Sequence, residues 1–192
     1  MKDCCSINDL DGQFDESWAR KKLKSYQKNG LDKRATKLAG FLKTQGLSGA
    51  TLLEIGCGIG ALHQELLRDG AAKATGVDVS SAYIEAAKTL AREQGSQDSV
   101  EYHVGDFVDM EQDLPEADVV VLDRAICCYP DMQTLVTASA RHSRRTCALT
   151  YPRWTWWIRA GHPLLNLLFA VIRKRFRTFI HNPSQISATL RS

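Results

Sequence analysis

The chain has 192 residues, of which 44% are hydrophobic and 24% are charged, and its formal net charge is +3. This composition predicts one soluble domain with a sizeable core, and the weak charge gives no support for nucleic-acid binding. No stretch reaches transmembrane length without charge, and the polar N-terminus lacks a signal-peptide pattern, so we expect a cytoplasmic protein. The six cysteines include two adjacent pairs but no C-x-x-C spacing, so no structural metal site is expected.

Two helices are predicted before the first strand. Residues 1–13 are polar, and we expect them to be flexible. Residues 14–27 predict an amphipathic helix capped by Asp15, and residues 32–44 predict a second helix from an i, i+3, i+4, i+7 apolar stripe. Because they precede the sheet, residues 14–48 can lie over its binding edge as a lid. The alternative interpretation is that most of them only cover the sheet.

The stretch 51–61, TLLEIGCGIGA, is central to the predicted fold. Its first five residues have the length of an apolar strand, and Gly56, Gly58 and Gly60 then precede a helical pattern from Ala61. Glycine allows unusual φ/ψ angles in such a turn and lets a ligand approach the main chain. The N–H groups at the start of the helix are expected to attract an anion. The same residues satisfy a dinucleotide-binding pattern, so the turn alone leaves the cofactor open.

Strands and helices alternate after this turn. Helical patterns continue over residues 62–68, from 80 or 81 to about 94, and from 131 or 133 to about 142. Strands are predicted over residues 73–79, 100–104, 117–122 and 146–150. This alternation predicts an α/β fold with a doubly wound, mostly parallel sheet of Rossmann-like type.

Acidic residues stand where the predicted strands end. Asp78, Asp106 and Asp123 share the carboxyl edge of the sheet with the glycine turn, and open α/β sheets bind ligands at that edge. Asp78 lies 18 residues after Gly60, a suitable distance for accepting hydrogen bonds from two ribose hydroxyls. Any one of these residues alone is readily explained as a loop-capping Asp. Together they predict one binding crevice.

Four segments carry a family resemblance. LEIGCGIG at 53–60, GVDVS at 76–80, GDF at 105–107 and VVLD at 120–123 resemble the successive signature segments of class I S-adenosylmethionine-dependent methyltransferases. The resemblance covers roughly residues 50–153 and is specific in order and spacing. It implies the fold of that family, S-adenosylmethionine as cofactor and methyl transfer as the reaction.

The resemblance also implies which residues hold the cofactor. In that family the glycine turn packs against the methionine part, the acid after strand two binds the ribose, and the Asp after strand three contacts the adenine amine. The implied cofactor-binding residues are Glu54, Gly56, Cys57, Gly58, Gly60, Asp78, Val79, Asp106, Phe107 and Asp123. Glu54 fits the acidic position of the family, whereas an NAD-binding strand is usually apolar there. An NAD-dependent oxidoreductase therefore ranks second.

Methyl transfer needs few dedicated catalytic residues. The sulfonium makes the methyl group electrophilic, so an enzyme gains chiefly by aligning a nucleophile and excluding water. Asp123 and Tyr129 are the catalytic candidates, the first to orient an acceptor hydroxyl or amine and the second to position the acceptor. Cys127 and Cys128 are interpreted as small packing residues, as buried cysteines usually are.

A narrower resemblance concerns the acceptor. ICCYP at 126–130 and the segment after strand five are similar in layout to the magnesium-protoporphyrin O-methyltransferases. That layout includes an N-terminal gating Tyr, and the candidate substrate and lid residues here are Tyr26, Cys128, Tyr129 and Trp157. A His commonly precedes the Tyr-Pro pair in that family, whereas this chain has Cys128. We therefore expect a small acceptor, apolar or carboxylated, methylated on a carboxylate or hydroxyl, with a tetrapyrrole as the narrower candidate.

The last predicted region comprises residues 154–192, interpreted as substrate-side helices of a single domain over 14–192. Within it, tryptophans, an apolar run and a basic cluster over 154–179 also fit a helix on an anionic membrane surface. Class I methyltransferases usually end with an antiparallel hairpin beside strand five, and no strand pair is visible here. We expect a sheet without that hairpin, which keeps an inactive cofactor-binding partner subunit open as an alternative.

Overall fold

Five parallel strands form the sheet of this computed structural model, which describes residues 15–152, 155, 166 and 178–190. The strands are β1 (Thr51–Ile55), β2 (Lys73–Asp78), β3 (Val100–Val104), β4 (Ala117–Asp123) and β5 (Ser143–Thr150). Their order across the sheet is β3-β2-β1-β4-β5. The predicted doubly wound α/β fold is therefore confirmed.

Helices connect and flank the strands. They are α1 (Glu16–Asn29), α2 (Lys33–Thr44), α3 (Ala61–Arg68), α4 (Ser81–Glu93), α5 (Met132–Arg141) and α6 (Pro183–Thr189). Short 3-10 turns lie at Gln97–Ser99, Glu111–Asp113 and Ile126–Cys128. No helix of the described residues is long and apolar enough to cross a bilayer.

The two N-terminal helices begin at the predicted caps. The Asp15 carboxylate accepts the N–H of Trp18, and the Asp32 carboxylate accepts the N–H groups of Arg34 and Ala35. These bonds satisfy donors that the first turn of a helix otherwise leaves unpaired. The predicted stripe of α2 faces the sheet, and its Leu42 is completely buried, which contributes about 1.5–3 kcal/mol.

Apolar side chains cover both faces of the sheet. Successive residues of β1 and β4 point to opposite faces, as the period of two requires. One core contains Leu53, Val120, Leu122, Leu135 and Ile186. The opposite core contains Leu38, Leu42, Leu52, Leu66 and Val119. Burial on both sides explains why β4 is an almost continuous apolar run.

The edge strand β5 starts earlier than predicted. It begins at Ser143, and its first residues are polar and partly exposed because the strand lies at the edge of the sheet. The apolar pattern therefore becomes visible only at Thr146. Within the described part of the chain, no strand pairs with the outer edge of β5.

Several predicted features lie outside the described residues. They are the flexible N-terminus at 1–13, Trp157, and most of the substrate-side and membrane-surface segment over 154–179. The missing hairpin stays a prediction for the same reason. The chain is described again from residue 178, where α6 follows and packs against α5.

Candidate active site

A cavity of about 740 Å³ lies at the carboxyl ends of the strands. Its walls come from the glycine turn after β1, the ends of β2 and β4, the loops after β3 and β4, and the facing sides of α1 and α2. All but one of the predicted cofactor-binding residues line it: Glu54, Gly56, Cys57, Gly58, Asp78, Val79, Asp106, Phe107 and Asp123. Gly60 lies beside the cavity without lining it.

All three glycines of the turn have a backbone conformation that favours glycine, and they differ in how closely other atoms approach them. Gly56, Gly58 and Gly60 have φ angles of +69°, +54° and +75°, which L-residues with side chains rarely adopt. A Cβ at Gly56 would lie 2.9 Å from Ala125 Cβ, and one at Gly60 would lie 2.6 Å from His63 Nε2. At Gly58 no atom lies within 4 Å of that position. The backbone at Gly58 is therefore open to a ligand in the cavity.

The N–H groups of this turn are largely bonded within the protein. Gly56 and Cys57 both donate to the Val77 carbonyl, at 2.8 and 3.0 Å. Gly58 donates to Asp78 Oδ2 at 2.8 Å. In the first turn of α3 the His63 N–H also donates, to Glu54 Oε2 at 3.3 Å. A carboxylate of the chain itself therefore already lies at the helix start where an anion was expected.

Asp78 is held in place on the wall of the cavity. Besides the Gly58 N–H, its carboxylate accepts the Ser80 N–H at 2.9 Å through Oδ1. These bonds join the end of β2 to the glycine turn and fix the orientation of the carboxylate. The arrangement suits the predicted role of Asp78 toward a ribose.

Glu54 forms a hydrogen bond with His63, a partner that the sequence analysis did not predict. Its Oε2 lies 2.7 Å from His63 Nδ1, and His63 Nε2 lies 2.9 Å from the Tyr102 hydroxyl. Glu54 is 4% exposed and His63 is fully buried. Glu54 therefore reaches the cavity as one end of a buried Glu-His-Tyr chain.

The thiol of Cys57 has no reactive role, and its main-chain N–H helps to hold the glycine turn against β2. Burial, with the Asp78 and Glu54 carboxylates nearby, raises the pKa of the Cys57 thiol well above its usual range. The thiol therefore stays protonated and unreactive.

The loop after β3 supplies a buried carboxylate. Asp106 is 5% exposed, and its Oδ1 accepts the Val108 N–H at 2.9 Å and the Tyr129 hydroxyl at 3.2 Å. Burial raises the pKa of Asp106, and the neighbouring Asp109 adds to that increase. The buried ring of Phe107 packs edge-on against His142, with ring centroids 5.3 Å apart.

Tyr129 is a hydrogen-bond donor rather than a base. Burial and the nearby Asp106 carboxylate both raise the pKa of its hydroxyl above the usual value near 10. The hydroxyl therefore keeps its proton at neutral pH. This state suits the predicted role of Tyr129 in positioning an acceptor.

Asp123 is paired with an arginine that the sequence did not indicate. Arg34 Nη1 of α2 and the Thr150 hydroxyl of β5 both donate to Asp123 Oδ1. Arg34 also bonds Asp32 Oδ2 at 3.1 Å. The ion pair joins α2 to the end of β4, so Asp123 has a strong structural partner besides its predicted catalytic role.

Tyr26 lines the cavity with its hydroxyl already bonded. The hydroxyl donates to Glu65 Oε1 at 2.8 Å and accepts from Arg68 at 2.7 Å, both on α3. Burial raises the pKa of Tyr26. These contacts attach α1 to the first crossover helix, so any gating by Tyr26 requires them to break.

The loop after β4 is held from the far end of the chain. The Phe179 N–H donates to the Cys127 carbonyl at 2.8 Å. His181 Nε2 donates to the carbonyls of Ile126 and Tyr129 at 3.1 and 3.0 Å. No local sequence pattern indicates this contact, because 55 residues separate His181 from Ile126.

Two adjacent thiols lie in this loop and line the cavity. Cys127 Sγ and Cys128 Sγ are 3.8 Å apart. The hydrogen bond with Cys128 and the positive charges of Arg124 and Arg34 lower the pKa of Cys127 to about 7. Among the described residues, no group of three His, Cys, Asp or Glu side chains is arranged to hold a metal ion.

Comparison with known proteins gives one family match. Residues 52–146 match the family model described as a methyltransferase domain. This range contains the glycine turn, β1 from its second residue, and β2 to β4. It also contains every predicted cofactor-binding residue.

Curated relatives match the same part of the chain. The ubiquinone biosynthesis O-methyltransferase of Vibrio atlanticus (strain LGP32) is 33% identical over 100 residues, which is 52% of this chain and 41% of that protein. The ribosomal protein L11 methyltransferase of Enterobacter sp. (strain 638) is 37% identical over 75 residues, 39% of this chain and 25% of that protein. The chain thus spans less than half the length of these relatives.

Solved structures share the fold over a longer range. Magnesium protoporphyrin IX methyltransferase from Synechocystis PCC 6803 with bound SAH has a TM-score of 0.74 at 16% identity, covering 95% of this chain and 86% of that one. Geranyl diphosphate C-methyltransferase from Streptomyces coelicolor A3(2) has a TM-score of 0.62 at 20% identity, covering 81% and 57%.

Proposed function

Because this chain carries a domain of the class I S-adenosylmethionine-dependent methyltransferase family, we propose that it transfers a methyl group from S-adenosylmethionine to a small acceptor molecule. The bond between the Gly58 N–H and Asp78 on the cavity wall carries this proposal. It brings the glycine turn and the acid of strand two together, as the cofactor role assigned to these residues requires.

The residues that line the cavity suit the chemical groups of the cofactor. The open backbone at Gly58 leaves room for the methionine part, Asp78 can accept hydrogen bonds from the ribose, and Asp106 with Phe107 can hold the adenine. When bound, the cofactor supplies an electrophilic methyl group on its sulfonium. The chain's own contribution is to orient both reactants and to exclude water.

We assign the acceptor to the part of the cavity between α1, α2 and the loop after β4. Trp18 and Leu31 give this part apolar surface, and Lys22 brings positive charge to the same cavity. Arg34 and Arg124 add positive charge that Asp123 and Asp32 partly neutralise. Apolar surface with cations suits a molecule that carries both an apolar body and an anionic group. Tyr129 can donate to such an acceptor by exchanging its present bond to Asp106 Oδ1 for one to the acceptor.

The two catalytic candidates, Tyr129 and Asp123, bear on the acceptor atom because neither offers a strong base. Tyr129 keeps its proton, and Asp123 Oδ1 already accepts from Arg34 and Thr150. A neutral alcohol would need a base to remove its proton, whereas a carboxylate is already ionised at neutral pH. A carboxylated acceptor is therefore favoured over a simple alcohol.

Calorimetric titration with S-adenosylhomocysteine tests the cofactor assignment, with NADH as the control ligand. Binding of S-adenosylhomocysteine with no heat from NADH is the expected result. Binding of NADH alone would overturn the proposal in favour of an oxidoreductase. If both ligands bind, a competition titration decides between the two cofactor classes. The affinity for S-adenosylhomocysteine is then expected to exceed that for NADH by at least about tenfold, or ~1.4 kcal/mol.

The acceptor class is tested with labelled S-adenosylmethionine and matched pairs of apolar carboxylates and their alcohols. The fold of magnesium protoporphyrin IX methyltransferase supports including a carboxylated magnesium porphyrin in the panel. Label is expected on the carboxylates. Transfer only to alcohols would contradict a carboxylate acceptor, and no transfer despite cofactor binding would favour an inactive partner subunit.

A further inference from the structure

The loop after β4 carries two adjacent thiols that methyl transfer does not use. We propose that Cys127 and Cys128 form a dithiol that a hydroperoxide oxidises to a disulfide on the cavity wall. The oxidation depends only on the two thiols and their surroundings. It is therefore independent of which cofactor or acceptor the chain binds.

The geometry of the pair favours this reaction. The two sulfur atoms are 3.8 Å apart, and both side chains are only partly buried and line the cavity. A disulfide has an S–S distance of about 2.05 Å, so the sulfurs must approach each other by roughly 2 Å. A small oxidant can reach them through the cavity, whose volume is about 740 Å³.

The surroundings distinguish this pair from the other cysteines of the described residues. The Cys127 S–H donates to the Arg124 carbonyl at 3.1 Å. The hydrogen bond with Cys128 and the Arg124 and Arg34 charges nevertheless lower the pKa of Cys127 and favour its thiolate, which is the reactive form. Cys57 is buried, and burial raises the pKa of Cys147 to about 11. Both therefore remain protonated thiols at neutral pH and react slowly.

The oxidation balances with a hydroperoxide as the two-electron oxidant. The Cys127 thiolate attacks one peroxide oxygen, so an S–O bond forms, the O–O bond breaks and hydroxide leaves. The Cys128 sulfur then attacks Cys127, so the S–S bond forms, the S–O bond breaks and a second hydroxide leaves. The thiol protons convert both hydroxides to water. Hydrogen peroxide is thereby reduced to two waters.

Closure of this disulfide must move the backbone of the loop. The Cα atoms of adjacent residues are about 3.8 Å apart across a trans peptide, below the usual range of roughly 4.4–6.8 Å for a disulfide. The turn Ile126–Cys128 therefore rearranges, and the bond from the Phe179 N–H to the Cys127 carbonyl is strained or lost. Tyr129 follows directly, so oxidation also slows methyl transfer, a consequence that rests on the proposed function.

Peptide mapping of the full chain after hydrogen peroxide treatment tests the reaction. Trypsin cleaves after Arg124 and Arg141, so Cys127 and Cys128 lie in one peptide, residues 125–141, separate from Cys4 and Cys5. This peptide is expected to lose about 2 Da, the mass of two hydrogens, and to regain it with dithiothreitol. A peptide that stays reduced, or that crosslinks to another cysteine, would overturn the proposal.

Two serine variants identify the role of each thiol. In Cys128→Ser, Cys127 should stop at the sulfenic acid, a gain of about 16 Da that dimedone traps. In Cys127→Ser, Cys128 should react at least about tenfold more slowly, because the attack on the peroxide is assigned to the Cys127 thiolate. Equal reactivity of the two variants would contradict the assignment of Cys127 as the attacking thiol.

Hydrogen exchange of the wild-type chain reports the loop movement without any methyl-transfer assay. The Phe179 amide is expected to exchange at least about tenfold faster after oxidation, because its acceptor moves. The exchange of amides in β1 should not change. Unaltered exchange at Phe179 in the disulfide form would overturn the proposed rearrangement, whether or not the chain proves to be a methyltransferase.

Discussion

The two sides of the cavity are built in different ways. The proposed cofactor side consists of the glycine turn and the ends of β2 and β3, and hydrogen bonds between neighbouring strand ends hold it together. The proposed acceptor side consists of α1, α2 and the loop after β4. It is held by contacts between distant parts of the chain, such as Arg34 with Asp123 and His181 with Ile126.

This difference has consequences for mobility and for selectivity. Buried main-chain hydrogen bonds make the cofactor side a preformed site that changes little on binding. The acceptor side depends on a few polar side-chain contacts, some of them partly exposed, so it can open at lower cost. Substitutions should therefore affect stability and cofactor affinity on the first side, and mainly acceptor access on the second.

The largest effect is expected for His63→Ala on the cofactor side. The substitution leaves the carboxylate of Glu54 buried without its imidazole partner. A buried group left without its hydrogen-bond partner typically costs about 1–3 kcal/mol of folding free energy, and the cavity left by the imidazole adds to that loss. Urea denaturation measures this loss, and His63→Gln, which keeps a donor, should recover part of it.

His103→Ala is the matched control for His63→Ala. His103 lies on β3 of the same sheet, but its side-chain partner Glu101 is 69% exposed. Its loss should cost less than about 1 kcal/mol. Equal destabilisation by the two substitutions would mean that the buried Glu54 pair does not stabilise the cofactor side.

Asp78→Asn should have the next largest effect, on cofactor affinity. The change removes the negative charge from the carboxylate predicted to bind the ribose hydroxyls, and hydrogen bonds to charged groups contribute about 1.5–3 kcal/mol. Affinity for S-adenosylhomocysteine should fall roughly ten- to hundredfold in calorimetric titration. Asp118→Asn is the control, because Asp118 accepts from Thr51 at the opposite end of the sheet. Unchanged affinity in Asp78→Asn would break the assignment of the cofactor side.

The same contrast explains what the sequence could predict. The glycine turn and Asp78 were predictable because strand periodicity, strand ends and turn residues are local signals, and parallel strands bring their ends to one edge. Arg34 was not predictable as a partner of Asp123, because 89 residues separate them. His181 lies 55 residues from Ile126. Such pairs are decided by packing, which leaves no periodic trace in the sequence.

Arg34→Met should have a moderate effect on the acceptor side. Methionine preserves much of the side-chain volume but removes the charge that joins α2 to Asp123. Because the Arg34 side chain is 31% exposed, solvent weakens the ion pair, and we expect a loss of about 1 kcal/mol in urea denaturation. KM for the acceptor should rise more than the dissociation constant of S-adenosylhomocysteine.

The control for Arg34→Met is Arg144→Met. Arg144 pairs with Glu116 at 3.2 Å, and both side chains are more than half exposed. Pairs of this kind contribute little, so the free energy of unfolding should change by less than about 0.5 kcal/mol. If Arg34→Met changed neither the free energy of unfolding nor KM for the acceptor, the ion pair with Asp123 would not hold the acceptor side in place.

The smallest effect is expected at Asp106, which the Tyr129 hydroxyl links to the acceptor side. Because burial raises the pKa of Asp106 in the folded chain, the folded state binds this proton more tightly than the unfolded state. The contribution of Asp106 to stability therefore falls as the pH rises from its usual pKa, near 3.8, through its raised pKa in the folded chain. At higher pH this contribution no longer changes.

Asp106→Asn removes this titration and keeps an oxygen that can accept from Val108 and Tyr129. The variant should be more stable than the wild type at pH 7, and its advantage should shrink as pH is lowered toward 4. Urea denaturation of both proteins across this pH range isolates the contribution of Asp106 to stability, because the other carboxylates contribute equally to each.

The affinity of Asp106→Asn for S-adenosylhomocysteine should nevertheless fall, because the carboxylate predicted to face the adenine amine is lost. A variant that gained stability and kept full affinity would show that Asp106 serves only to bind the Tyr129 hydroxyl and does not contact the cofactor. The loop after β3 would then belong to the acceptor side of the cavity.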